Sequence, residues 1–230
     1  MIYNFNHICF ASFTVASLFV VSKHFEVYHS SFRENFQSTS ELKDTQYYHL
    51  RDFNKINIGK GFTVEISKRN QYNVSIIGNK IERDRYTPLV KNNTLQLHYV
   101  GKEEDYKSKV DLKIMIHLPD LKSINLNGRT ESIIKGFSNL DSLDINVSGK
   151  SIATISAQAK YTWIQVSGES KLFGNELMTN RSVVNISYHS YCTLIVKDSL
   201  LGNVSSGANL IYSGNAGHKV ILSHGKLIHK

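Results

Sequence analysis

The chain has 230 residues, of which 41% are hydrophobic and 20% charged. That is enough for one sizeable core or two small ones, and it excludes a wholly disordered protein. The formal charge of +8 is spread out: residues 51–115 carry 13 Lys and Arg against 8 Asp and Glu, and residues 116–230 carry 11 against 7. Basic residues are interleaved with acids and form no run, so no nucleic-acid partner is expected. Cys9 and Cys192 are the only cysteines, which excludes a disulfide framework and a cysteine-rich metal site.

Ile8 to Val21 is a 14-residue stretch without charge. It is short for a bilayer span and suits the apolar core of an export signal. Small residues at its end predict a signal peptide over 1–22, with cleavage near Ser22, although the preceding MIYNFNH has no Lys or Arg. Residues 23–47 are mostly polar without a clear period and read as a tether. Residues 48–230 are the folded body.

The first part of that body shows strand alternation in Phe62-Thr-Val-Glu-Ile66 and Leu112-Lys-Ile-Met-Ile116, with weaker candidates at 53–58, 72–77 and 94–100. Pattern alone leaves open whether these strands join the C-terminal half or make a separate sheet. After Pro119 a repeat takes over. The segments starting at Ile124, Ile145, Ile164, Val184 and Gly202 are 21, 19, 20 and 18 residues apart. Each alternates apolar with polar, most end in Gly, Ser or Asn, and each is followed by a second short apolar segment. A period near twenty with two short strands per unit predicts an all-β fold, a parallel β-solenoid of about twenty-residue coils preceded by irregular N-terminal strands. Stacking places Ile124, Ile145, Ile164 and Val184 in one interior column, and Leu126, Val147, Val166, Ile186 and Val204 in another. Asn125, Asn146, Gln165, Asn185 and Asn203 then form an amide column at the strand spacing of about 4.8 Å. Three of the Asn-x-Ser motifs lie inside these strands, so the repeat accounts for them better than glycosylation does.

The chain resembles the putative auto-transporter adhesin, head GIN domain family of exported bacterial proteins. The likeness rests on Leu50-Arg-Asp-Phe-Asn-Lys-Ile-Asn-Ile58, Tyr72-Asn-Val-Ser-Ile76, Ile116-His-Leu-Pro-Asp-Leu-Lys-Ser-Ile124, the Ser-Gly pairs at 148–149 and 167–168, and Asn209-Leu-Ile-Tyr-Ser-Gly214. Ala216 stands where the family has Pro, and Tyr188 where the repeat has Gly. The resemblance implies a β-helical protein of the cell envelope: periplasmic, associated with the outer membrane, or on the cell surface.

Motifs for chemistry are lacking. No His-Glu-x-x-His, Gly-x-Ser-x-Gly or P-loop pattern occurs, so neither a metal nor a cofactor is expected. A polysaccharide lyase or hydrolase on the same fold would need two acids facing one groove. Asp144 instead has Trp163, Val183 and Leu201 at the equivalent positions of later coils, and Asp141, three residues away, is expected on the opposite face. The chain therefore reads as a non-enzymatic adhesin, surface-binding or scaffold module, with glycans or other envelope components as partners and the membrane touched only through the export signal. Two features are candidate ligand contacts. Tyr161 and Trp163 share the outward face of Gln165, where they can stack on sugar rings or lie covered by the tether or an N-terminal strand. Arg129 and Lys150 head a turn column continued by Glu169 and His189, either a solvated charge ladder or a site for acidic glycans or lipid head groups.

Overall fold

The computed structural model describes residues 44–102 and 111–230, and apart from one short helix its regular elements are strands. The expected signal peptide, most of the expected tether and the acids at 103–105 lie outside the described residues. The repeats are coils in register. β8 (Ser123–Leu126) is followed by β9 (Glu131–Val147), β10 (Ile152–Val166), β11 (Lys171–Ile186) and β12 (Tyr191–Ser205), each parallel to the next.

Two short strands per coil were expected, and the coils instead hold single strands of 15 to 17 residues. The reason is visible in the pairing. The corner between the two arms stays bonded to the corner of the adjacent coil, with register shifts at Ser156/Ala157 and Ala157/Ala159. One end of β9 pairs with β3 (Thr63–Lys68) and the other with β8, so each long strand runs through both arms of its coil within one continuous sheet. Both interior columns are as expected: Ile124, Ile145, Ile164 and Val184 are at most 3% exposed, and Leu126, Val147, Val166, Ile186 and Val204 are fully buried.

Between coils the chain reverses on two successive left-handed residues: Gly128-Arg129 (φ 65° and 69°), Gly149-Lys150 (66° and 68°) and Gly168-Glu169 (67° and 62°). Glycine leads because only it adopts this conformation at little cost and because the turns stack closely: a Cβ on Gly149 would stand 2.9 Å from the Gly128 nitrogen. The fourth turn uses Tyr188-His189 instead (55° and 56°). After each turn comes a small buried residue, Thr130, Ser151, Ser170, Ser190 and then Ala208. The Ser151 hydroxyl accepts from the Thr130 N–H (3.2 Å), and the Ser170 hydroxyl from the Ser151 N–H (3.1 Å). These bonds satisfy turn amides that the ladder leaves over.

The N-terminal strands join the solenoid. β2 (Lys55–Ile58) and β3 make a coil through a left-handed turn at Lys60-Gly61, with β2 parallel to β8 and β3 parallel to β9. On the other side of this coil lie β6 (Thr94–Tyr99), parallel to β2, and β7 (Lys113–Leu118), parallel to β3. An early stretch of chain is thus sandwiched between two later ones. This end is finished by antiparallel strands: β5 (Tyr86–Lys91) on β6, β4 (Asn73–Gly78) on β7, and β1 (Asp44–Tyr48) on β4. Asp44 to Tyr47 therefore belong to the sheet and not to the tether in which the sequence placed them. The short helix α1 (Lys80–Arg83) follows β4. At the far end β13 (Asn209–Ser213) pairs with β12, β14 (Gly217–Ser223) with β12, and β15 (Lys226–His229) with β13.

Candidate functional site

The second arm of each coil, from β9 to β12, alternates strictly, so its outward residues line up across coils. One outward column runs Ser123, Asp144, Trp163, Val183, Leu201. Beside it runs the amide column, which begins earlier than the sequence suggested, with Gln96 on β6 and Asn57 on β2 preceding Asn125. On the other side stand Ser142, Tyr161, Arg181 and Ser199.

Trp163 is 49% exposed and Tyr161 43%, with Val183 and Leu201 at 42% each. The outward orientation is as expected, and no described N-terminal strand covers the rings; the tether lies outside the described residues. The two rings are 6.5 Å apart and 30° from coplanar, and the Arg181 guanidinium sits 5.9 Å from the Tyr161 centroid. Trp163 divides two shallow grooves. One, of about 270 Å³, is bordered by Asp144, Asn146, Gln165 and Asn185; the other, of about 330 Å³, by Tyr161, Arg181, Asp198 and Leu201.

The amide column is in register throughout, but the expected chain of amide bonds is only begun. Asn125 Nδ2 donates to Asn57 Oδ1 at 3.1 Å, whereas Asn146 Oδ1 is buried without a hydrogen-bond partner among the described residues. A buried acceptor left this way is costly unless a donor reaches it. Beneath the face, buried Thr162 donates to the Ser182 hydroxyl at 2.9 Å, which holds the strands carrying Trp163 and Val183 together.

Arg129 and Lys150 stack in adjacent turns and line neither groove. Lys150 pairs with Glu169 at 3.3 Å, both being exposed. The structure thus brings Tyr161 and Trp163 together and leaves Arg129 and Lys150 apart from them. Arg181 was missed from sequence, although it lies one coil beyond Tyr161 with the same parity.

Asp141 and Asp144 are not on opposite faces as expected. Both are exposed, because left-handed residues at Gly136 and Asn139 interrupt the alternation of β9 just before them. Asp141 is engaged by Lys160 at 2.7 Å, and this hydrogen bond holds its carboxyl below the ordinary range. Asp144 and Asp198 border different grooves, three strands apart and three residues out of register, which puts them more than about 14 Å apart. Glycoside hydrolysis uses carboxylates about 5 to 9.5 Å apart. Among the described residues no group of His, Cys, Asp and Glu could hold a metal ion, and no helix is long and apolar enough to cross a membrane.

The family model for the putative auto-transporter adhesin, head GIN domain matches residues 52–216, from just before β2 to just after β13. The chain belongs to this family. The head GIN fold recurs in solved structures. A putative adhesin from Bacteroides fragilis is 18% identical, with a TM-score of 0.65 over 83% of this chain and 98% of that one. A putative adhesin from Parabacteroides merdae is 12% identical, with a TM-score of 0.52 over 83% and 97%. A putative lipid binding protein from Parabacteroides distasonis is 13% identical, with a TM-score of 0.50 over 83% and 98%. At these identities the likeness is one of fold. None of the curated proteins matches the chain in sequence.

Proposed function

We propose that this head GIN domain is an exported, non-enzymatic adhesin module that binds an extended glycan across the Trp163 face. The observation that carries the proposal is an exposed aromatic and aliphatic column flanked by a column of amides. Aromatic faces stack on the apolar faces of sugar rings, and amides donate to and accept from their hydroxyls. One coil advances by about 4.8 Å, close to the advance of one unit in an extended polysaccharide, so successive sugars meet successive coils. Many weak contacts of this kind give useful attachment when several domains engage one polymer.

Trp163 is the only tryptophan in the chain, so its fluorescence reports directly on the proposed site. A glycan array should yield a ligand that shifts this emission. Trp163→Ala should then weaken binding by about 1–3 kcal/mol with the melting temperature nearly unchanged. A ligand that binds without altering Trp163 emission, or depolymerisation of a polysaccharide by the purified domain, would sink this reading. Export is tested separately: the envelope fraction should contain a protein starting at or near Lys23.

A further inference from the structure

The two ends of the solenoid are finished differently. At the N-terminal end the outer strand β5 carries Pro88 in its middle, and the other outer strand, β1, has five residues. A proline and a short strand both discourage further pairing. At the other end β14 has seven residues and no proline, and among the described strands it pairs only with β12. Its Leu222 continues the column of Val147, Val166, Ile186 and Val204, each fully buried, yet Leu222 is 51% exposed. Ile221 is 64% exposed and Ile228 on β15 42%. Here a run of backbone donors and acceptors adjoins the uncovered top of the core.

Charge says what fits. Residues 199–230 contain Lys219, Lys226 and Lys230, with His218, His224 and His229, and no Asp or Glu. A second copy presenting the same end would bring like charges together. An anionic membrane would suit the lysines but offers no regular array of donors and acceptors at the spacing of a strand edge. We infer that the β14 edge, beside the four-residue β15, takes up, by strand addition, an extended segment of another protein in which apolar residues alternate with Asp or Glu. Apolar side chains of that segment would cover Leu222 and Val220, and its acids would meet Lys219 and Lys226.

The full chain is titrated with a short fluorescent peptide alternating valine with glutamate, read by anisotropy, and amide exchange is followed in β14. Expected are saturable binding, a gain in protection confined to β14 and β15, and about a tenfold loss of affinity in Lys219→Glu/Lys226→Glu, roughly 1.4 kcal/mol. Ile221→Asp, at an exposed position, should give a similar loss with the melting temperature unchanged. The inference is overturned if a shuffled peptide of the same composition binds equally well, or if binding leaves β14 exchange untouched. It is also overturned if the protein alone assembles through this edge into filaments, or if phosphatidylglycerol vesicles bind and the peptide does not.

Discussion

Val166→Asp tests the orientation of every coil at once. Val166 is fully buried between Val147 and Ile186 in the adjacent coils. Losing the apolar side chain costs about 2 kcal/mol. The new carboxyl has no partner there, and full burial raises a carboxyl pKa by about 3 units or more. At about 1.4 kcal/mol per unit, that adds about 4 kcal/mol near neutral pH. The total, about 6 kcal/mol, rivals the whole stability of an ordinary domain. Urea unfolding followed by Trp163 fluorescence should show the midpoint falling by about 3 M, taking a slope near 2 kcal/mol per M. The sign of the pH dependence is set by the raised pKa. The penalty is full above the folded-state pKa and fades as pH falls toward the unfolded value near 4, so the gap from wild type should narrow on acidification. Gln165→Asn, one residue away and exposed, should stay within about 0.5 kcal/mol. A loss below about 1 kcal/mol for Val166→Asp would mean that this strand does not face the core.

Gly202→Ala should destabilise by at least about 2 kcal/mol in the same assay, because Gly202 has φ 133° and an added Cβ would lie 1.9 Å from the Val184 carbonyl oxygen. Tyr188→Gly should raise the melting temperature by about 2–4 °C per kcal/mol of relieved left-handed strain, since Tyr188 is largely exposed and has no evident packing role. Burial alone would raise the Glu65 pKa, but hydrogen bonds from Lys135 and Lys113, at 2.8 and 3.0 Å, outweigh it and hold the carboxyl below its ordinary value. A lowered pKa gives stability that is present above about pH 4.3 and lost as pH falls through the folded-state value, so Glu65→Gln should lose less stability than wild type between about pH 5 and 3.

The repeating half was legible because its arms alternate in sequence and each coil bonds mainly to its neighbours. Period and parity were therefore enough to place Ile145 and Val166 inside and Trp163 outside. The corners were not legible. Phe137 and Leu140 are both buried three residues apart, a spacing that breaks alternation and hides a continuous strand. The buried Thr130, Ser151, Ser170 and Ser190 were not legible as core, because a small hydroxyl residue just after a turn carries no apolar signal. The order of coils at the N-terminal end was out of reach for a different reason. Pairing of β2 with β6 and β8 spans dozens of residues and leaves no periodic trace. At the candidate face, Tyr161 and Trp163 were recognisable as aromatics on an outward parity, but Arg181 needed the register between coils.

Because β2 and β3 sit between strands that come later in the chain, the solenoid changes length most easily where its coils follow one another in sequence. A duplication or deletion of one repeat between residues 131 and 205 adds or removes a layer whose neighbours are its sequence neighbours. The same change before residue 123 would have to re-route three segments at once. Variation in coil number should therefore concentrate on the side carrying Trp163, where each added coil lengthens the outward face by about 4.8 Å. Among relatives, the footprint available to a polymer could then be tuned by copy number, without redesigning a single turn.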